Sequence, residues 1–169
     1  TRPGMVAMRS VAAPAMRGLL KDDGQLDGPP QLWLLSPGFG AIFNTMALAL
    51  QTDLELSSRA REIAILITGE RADSPFEILA HRAAAKKVGL TDEQINELCA
   101  GHTPPFDDPI EREVAALSVE MFEHETLDDA TYAHALPILG ERGIFEVAVL
   151  VGFYRMVALQ LSTFRVAPE

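Results

Sequence analysis

Arg61-Glu62-Ile63-Ala64-Ile65-Leu66-Ile67-Thr68, then after a short break Ser74-Pro75-Phe76-Glu77-Ile78-Leu79-Ala80-His81, is the stretch that decides the fold. Beyond its first residues the first segment has no polar side, and a helix apolar on every side has to be wrapped by other helices. The second segment opens like a capped helix: Ser at the cap, Pro at the first helical position and Glu three residues after the Ser. Glu77 and His81 are four apart, so on a helix they stand on one face. An acid and an imidazole placed in that way can exchange protons with a single bound ligand.

Helix starts recur outward from this stretch, while strand alternation is almost nowhere seen. Ser36-Pro37 opens a segment in which Phe39, Ile42, Phe43, Met46, Ala47 and Leu50 recur at helical spacing. Ser57-Ser58 opens the apolar helix. Thr91-Asp92-Glu93-Gln94 repeats the capping pattern, Asp108-Pro109-Ile110-Glu111 resembles it, and Thr126-Leu127-Asp128-Asp129 follows. Gly89 is placed to end its helix in the left-handed conformation, and Gly140 to Gly143 separates the final pair. From Ile144 to Leu161 the only charges are Glu146 and Arg155, so this helix too is expected to be buried all round, with Gly152 at a close helix contact. Two such helices in a small domain point to a homo-oligomer: a dimer, trimer or hexamer. The expectation is an all-α fold of seven or eight helices over residues 36–169. Residues 1–35, rich in Gly and Pro, form a partly irregular N-terminal extension with a short helix near Ala13–Leu20.

Composition narrows the class. The chain of 169 residues carries a formal charge of −10, which argues against unaided binding to nucleic acid or an anionic membrane. Its one cysteine, Cys99, leaves no internal disulfide and fits a reducing cytoplasm. No run of about 18 apolar residues suggests a membrane span, and the N-terminus shows no basic-then-apolar leader. A small-molecule substrate is the expected partner.

The segment from Arg61 to Leu90, with Glu62 nineteen residues before His81, resembles the carboxymuconolactone decarboxylase family, whose fold is that of the alkylhydroperoxidase D proteins. The resemblance covers most of residues 36–165, including Phe145 to Tyr154. In the peroxidase branch of that family a Glu precedes a Cys-x-x-Cys pair, and a His follows after three intervening residues. Here Glu62 and His81 match the outer positions, and Ser74 and Glu77 stand where the cysteines would be. Phe76, Glu77 and His81 are similar to the non-thiol branch. Peroxide reduction in this manner needs a low-pKa thiolate and a resolving thiol, so thiol peroxidase activity is not expected. The resemblance implies a lyase, decarboxylase-like, or an isomerase. It would work without metal or organic cofactor on a small carboxylated lactone or unsaturated, aromatic-derived acid.

Loss of CO₂ leaves a dienolate that must be protonated at carbon, and imidazole ordinarily titrates near neutrality. His81 is therefore assigned the proton transfer, with Glu77 sharing the proton or holding the tautomer. Glu62 sets the local charge or binds a substrate hydroxyl. Each residue has a structural reading beside the catalytic one: Glu77 completing a capping box, Glu62 favoured in a helix first turn, His81 satisfied in the core. Glu62, Glu77 and His81 have ligand-compatible spacing, but the His-rich metal signatures are missing, and His102, His124 and His134 read as surface. For substrate binding the candidates are Ser74, Phe76, Tyr154, Arg71 in the loop between the two motif helices, and Arg155, whose structural alternative is a buried ion pair with Glu146 or another acid. Trp33 and Phe39 line the pocket or fill the core. A non-catalytic binding or assembly subunit on the same scaffold is the alternative function.

Overall fold

The computed structural model describes residues 28–166 and residue 168, and the expected helix near Ala13–Leu20 lies outside them. The chain divides into two units, Thr1–Thr52 and Asp53–Glu169. In the first unit, α1 (Pro29–Trp33) and α2 (Pro37–Thr52) pack together. Phe43 on α2 stacks obliquely on Trp33 at 5.6 Å and on Phe39 at 5.2 Å.

The second unit is built around the apolar helix. It comprises α3 (Ser58–Arg71), α4 (Pro75–Lys87), α5 (Asp92–Cys99), α6 (Pro109–His124) and α7 (Asp129–Phe164), and the described residues contain no strand. Every residue from Ile63 to Gly69 is buried, and α3 touches all four of the other helices. On one side Ile63, Leu66 and Ile67 join Ala85, Leu90, Ile95, Leu98, Phe106 and Ala115 in a continuous core. Full burial of side chains this size contributes roughly 1.5–3 kcal/mol each.

Local signals set most of the boundaries. Ser57 caps α3 by accepting from Ala60 N at 3.1 Å. Thr91 and Gln94 close a reciprocal capping box on α5, and Asp108 and Asp128 cap α6 and α7. Gly89 ends α4 at φ 91, where a side chain would be strained. Gly140 breaks the helical path of α7 at φ 67 and ψ 168.

The structure corrects two expectations about α7. Its C-terminal half is not buried all round: Val147, Leu150, Val151, Tyr154, Val157 and Leu161 face inward, whereas Phe145 (65% exposed) and Leu159 (67% exposed) face out with Met156. Gly152 lies on that outer face with nothing near its missing Cβ, so among the described residues no helix makes a close contact there. By length and composition α7 is apolar enough to cross a membrane, but half of its most apolar window is buried inside the fold, as in a core helix.

The loop before α3 is anchored by a buried carboxylate. Glu146, 2% exposed, accepts from Glu55 N and Leu56 N, each at 2.9 Å, and from Arg142 Nε at 2.9 Å. Burial alone would raise its pKa, but the two amides and the guanidinium outweigh it and hold the carboxyl below the ordinary range. Its contribution is therefore present above the unfolded-state pKa and is lost as pH falls through the folded one. Glu146→Ala should cost about 3 kcal/mol in urea unfolding at pH 7. The gap to wild type should narrow on acidification, and an unchanged midpoint at pH 7 would contradict the anchor.

Candidate active site

Main-chain geometry at the α3–α4 corner determines how the site residues are used. Asp73 takes the left-handed conformation, and Ser74 N donates to Gly69 O at 2.9 Å, closing the end of α3. The Ser74 amide is thereby spent, so Glu77 cannot reach back to it. The expected capping box does not form, and Ser74, although it is the cap residue of α4, makes no side-chain cap bond. The corner is tight because α3 carries glycine there: a Cβ on Gly69 would lie 3.3 Å from Glu77 Cβ.

The consequence is an unusual carboxyl. Glu77 is 3% exposed and Ser74 4% exposed, yet neither Glu77 oxygen nor the Ser74 hydroxyl makes a hydrogen bond to any described residue. Desolvation pushes the Glu77 pKa up from 4.5 to about 7, opposed in part by the nearby Ser74 hydroxyl and the His81 ring. The hydroxyl is near enough to favour the ionised form.

One turn along α4, His81 Nδ1 lies 2.8 Å from Glu62 Oε2 of α3. Glu62 stands beyond the first turn of its helix, so its position answers to the imidazole rather than to the helix dipole. An ionised carboxylate only accepts, so Nδ1 carries the hydrogen and Nε2 is left as the ring's free base position. Both side chains keep a little exposure, 18% for His81 and 15% for Glu62.

Tyr154 of α7 meets His81 edge to face, ring centroids 5.1 Å apart. Burial raises its pKa, and the negative charges of Glu62 and Glu77 raise it further against the pull of Arg61. It is thus held as a neutral phenol. Arg61 is a site cation that the sequence did not single out. Its guanidinium donates to Leu56 O and Ser58 Oγ, and the signal was its place directly before Glu62.

The structure brings Glu62, Ser74, Glu77, His81 and Tyr154 together, and not the other two candidate anchors. Arg71 pairs with Glu70 and with Glu123 of α6. Arg155 is paired with an acid but is not buried: it bonds Glu125 at 2.8 Å and lies over the Phe122 ring on the outer side of α7, while Glu146 pairs with Arg142. Phe76 is half-buried in the first turn of α4. Among the described residues no three His, Cys, Asp or Glu side chains are grouped to hold a metal ion. Cys99 is a free thiol on α5, packed against the core.

The sequence model of the carboxymuconolactone decarboxylase family matches residues 37–120, a span that includes Glu62, Ser74, Glu77 and His81. No curated protein matches the chain.

Glu77 gives a stability signature with a definite sign. Its folded pKa lies above the unfolded value, so the folded state binds the proton more tightly and stability falls as pH rises from 4.5 past about 7. A shift of that size corresponds to about 3 kcal/mol. Glu77→Gln should gain stability over wild type at pH 8, and the gain should shrink by pH 5. Parallel urea-unfolding profiles at both pH values would contradict the buried, unpaired carboxyl.

Proposed function

This chain belongs to the carboxymuconolactone decarboxylase family, and we propose that it is a cofactor-independent acid/base lyase, decarboxylase-like, or an isomerase of small carboxylated lactones or unsaturated acids. The observation that carries this is the Glu62–His81 pair at 2.8 Å, beside the buried Glu77 carboxyl, which has no hydrogen-bond partner among the described residues. Glu62 holds the tautomer and balances the imidazolium when His81 takes a proton. His81 moves the proton to or from substrate carbon. Arg61 is the cation we assign to the substrate carboxylate, in place of Arg71 and Arg155, which are engaged by acids.

The alternative, a scaffold subunit without chemistry, would be supported by Glu77 tied into a helix cap. The lack of any such bond favours the catalytic assignment. His81→Gln should lower solvent-deuterium incorporation or turnover by about 10²–10⁴ across a panel of unsaturated carboxylates and lactones. Full activity in that variant would overturn the assignment.

Self-association is part of the same proposal. The outer face of α7 presents Phe145, Met156 and Leu159 around the bare Gly152, and beside them the Arg155–Glu125 pair supplies both signs of charge. A second copy of this chain, related by a two-fold axis, can exchange those charges across the face. Sedimentation should give an oligomer that Phe145→Glu with Leu159→Glu reduces to a monomer. A monomeric wild type would contradict it.

A further inference from the structure

Three buried polar atoms with no hydrogen-bond partner among the described residues lie at the first turn of α4: Ser74 Oγ and both carboxyl oxygens of Glu77. Leaving such groups unmatched costs about 1–3 kcal/mol each, so their retention calls for a ligand that matches them. Ser74 makes no cap bond and Pro75 has no N–H, so the positive end of the α4 dipole is not quenched by a side chain. Donors without an acceptor, at the positive end of a helix, suit an oxygen that gains negative charge.

We propose that Ser74 and Glu77 form a two-donor notch that takes the carbonyl oxygen of the substrate and holds the charge developing on it, while His81 handles the proton at a neighbouring carbon. This rests on the proton-transfer role proposed above for His81. In decarboxylation the C–C bond to the carboxylate breaks, CO₂ leaves, and the electron pair passes through the carbon to the carbonyl oxygen as an enolate. Ser74 and neutral Glu77 donate to that oxygen. The His81 imidazolium then gives its proton to carbon and the carbonyl re-forms. In isomerisation His81 first takes the proton from carbon, and the same pair of electrons goes to the same oxygen. No oxidant or reductant enters either sequence. The substrate class follows: a carbonyl conjugated to, or one bond from, the reacting carbon, as in a β-keto acid or an unsaturated lactone acid. An acid whose only oxygens are those of the departing carboxylate lacks an occupant for the notch. Glu77 must be neutral to donate, and its burial keeps it so up to about pH 7. His81 on its own helix acts on it directly, and Tyr154 on α7 feels Glu77 together with Glu62 and Arg61 of α3.

Pentafluorophenolate, an enolate mimic ionised across the pH range used, tests the notch by ¹⁹F NMR titration of the full chain. Wild type should bind it at pH 6.5 and weaken as pH rises, approaching about tenfold per unit well above pH 7, as ionised Glu77 repels the phenolate. Glu77→Gln, which keeps a donor but cannot ionise, should bind with that pH response reduced. Because His81 remains in this variant, the difference from wild type isolates Glu77. Ser74→Ala and Glu77→Ala, shown to be folded by circular dichroism, should each lose about tenfold in affinity at pH 6.5. Unchanged affinity in both variants, or no binding by folded wild type, overturns the notch whether or not deuterium exchange depends on His81. Notch-dependent binding with exchange that survives His81→Gln keeps the notch and overturns the proton carrier instead.

Discussion

Burial of α3 on every side is the constraint on which the second unit depends. A helix with no polar face between Ile63 and Gly69 cannot lie at the surface, so α4, α5, α6 and α7 must close around it. That wrapping is what makes a site possible. Glu62 leaves α3 near its N-terminal end and meets His81 of α4, while α7, packed on α3, delivers Tyr154 to the same imidazole. Two consecutive helices and one distant in sequence thus converge because one of them had to be enclosed.

The α3–α4 corner turns that packing into chemistry. Ser74 serves two helices at once: its amide finishes α3, and its carbonyl accepts from Ile78 N to start α4. With the amide committed, Glu77 is denied the cap bond its spacing suggests, and Gly69 lets it sit against α3 out of water. A carboxyl buried without a partner is a stability cost. Proteins retain such costs chiefly at functional positions, where a group held away from its ordinary pKa can act as an acid near neutrality. The Glu146 carboxyl is the contrast within the same unit. It is buried as deeply, but with two amides and a guanidinium it anchors a loop and stays ionised.

Much of this was legible in the sequence because it is local. The caps at Ser57, Thr91 and Asp108, the end of α4 at Gly89 and the break at Gly140 each follow from residues within a turn of one another. The Glu62–His81 pairing was reachable through the family's spacing. What the sequence could not show depends on distant partners. The capping box failed because Gly69 of another helix claims the Ser74 amide. Arg155 looked buried because its helix is apolar, but the face of α7 that carries it is open, and Glu125 from the α6–α7 junction is its partner. Arg61 was passed over because a charge at the head of an apolar helix looks like an ordinary surface residue, and only the folded chain brings it near Tyr154.

The central claim is that Glu77 is a buried acid, largely neutral below pH 7 and titrating near it, beside the Glu62–His81 pair. Carbon-detected NMR titration of protein labelled at the glutamate carboxyls, with the Glu77 resonance assigned by difference from Glu77→Gln, tests it most directly. The account predicts a Glu77 midpoint near 7, well apart from the remaining glutamates. A midpoint near the ordinary 4.5 would mean that the carboxyl is solvated or paired in solution, and would contradict the account.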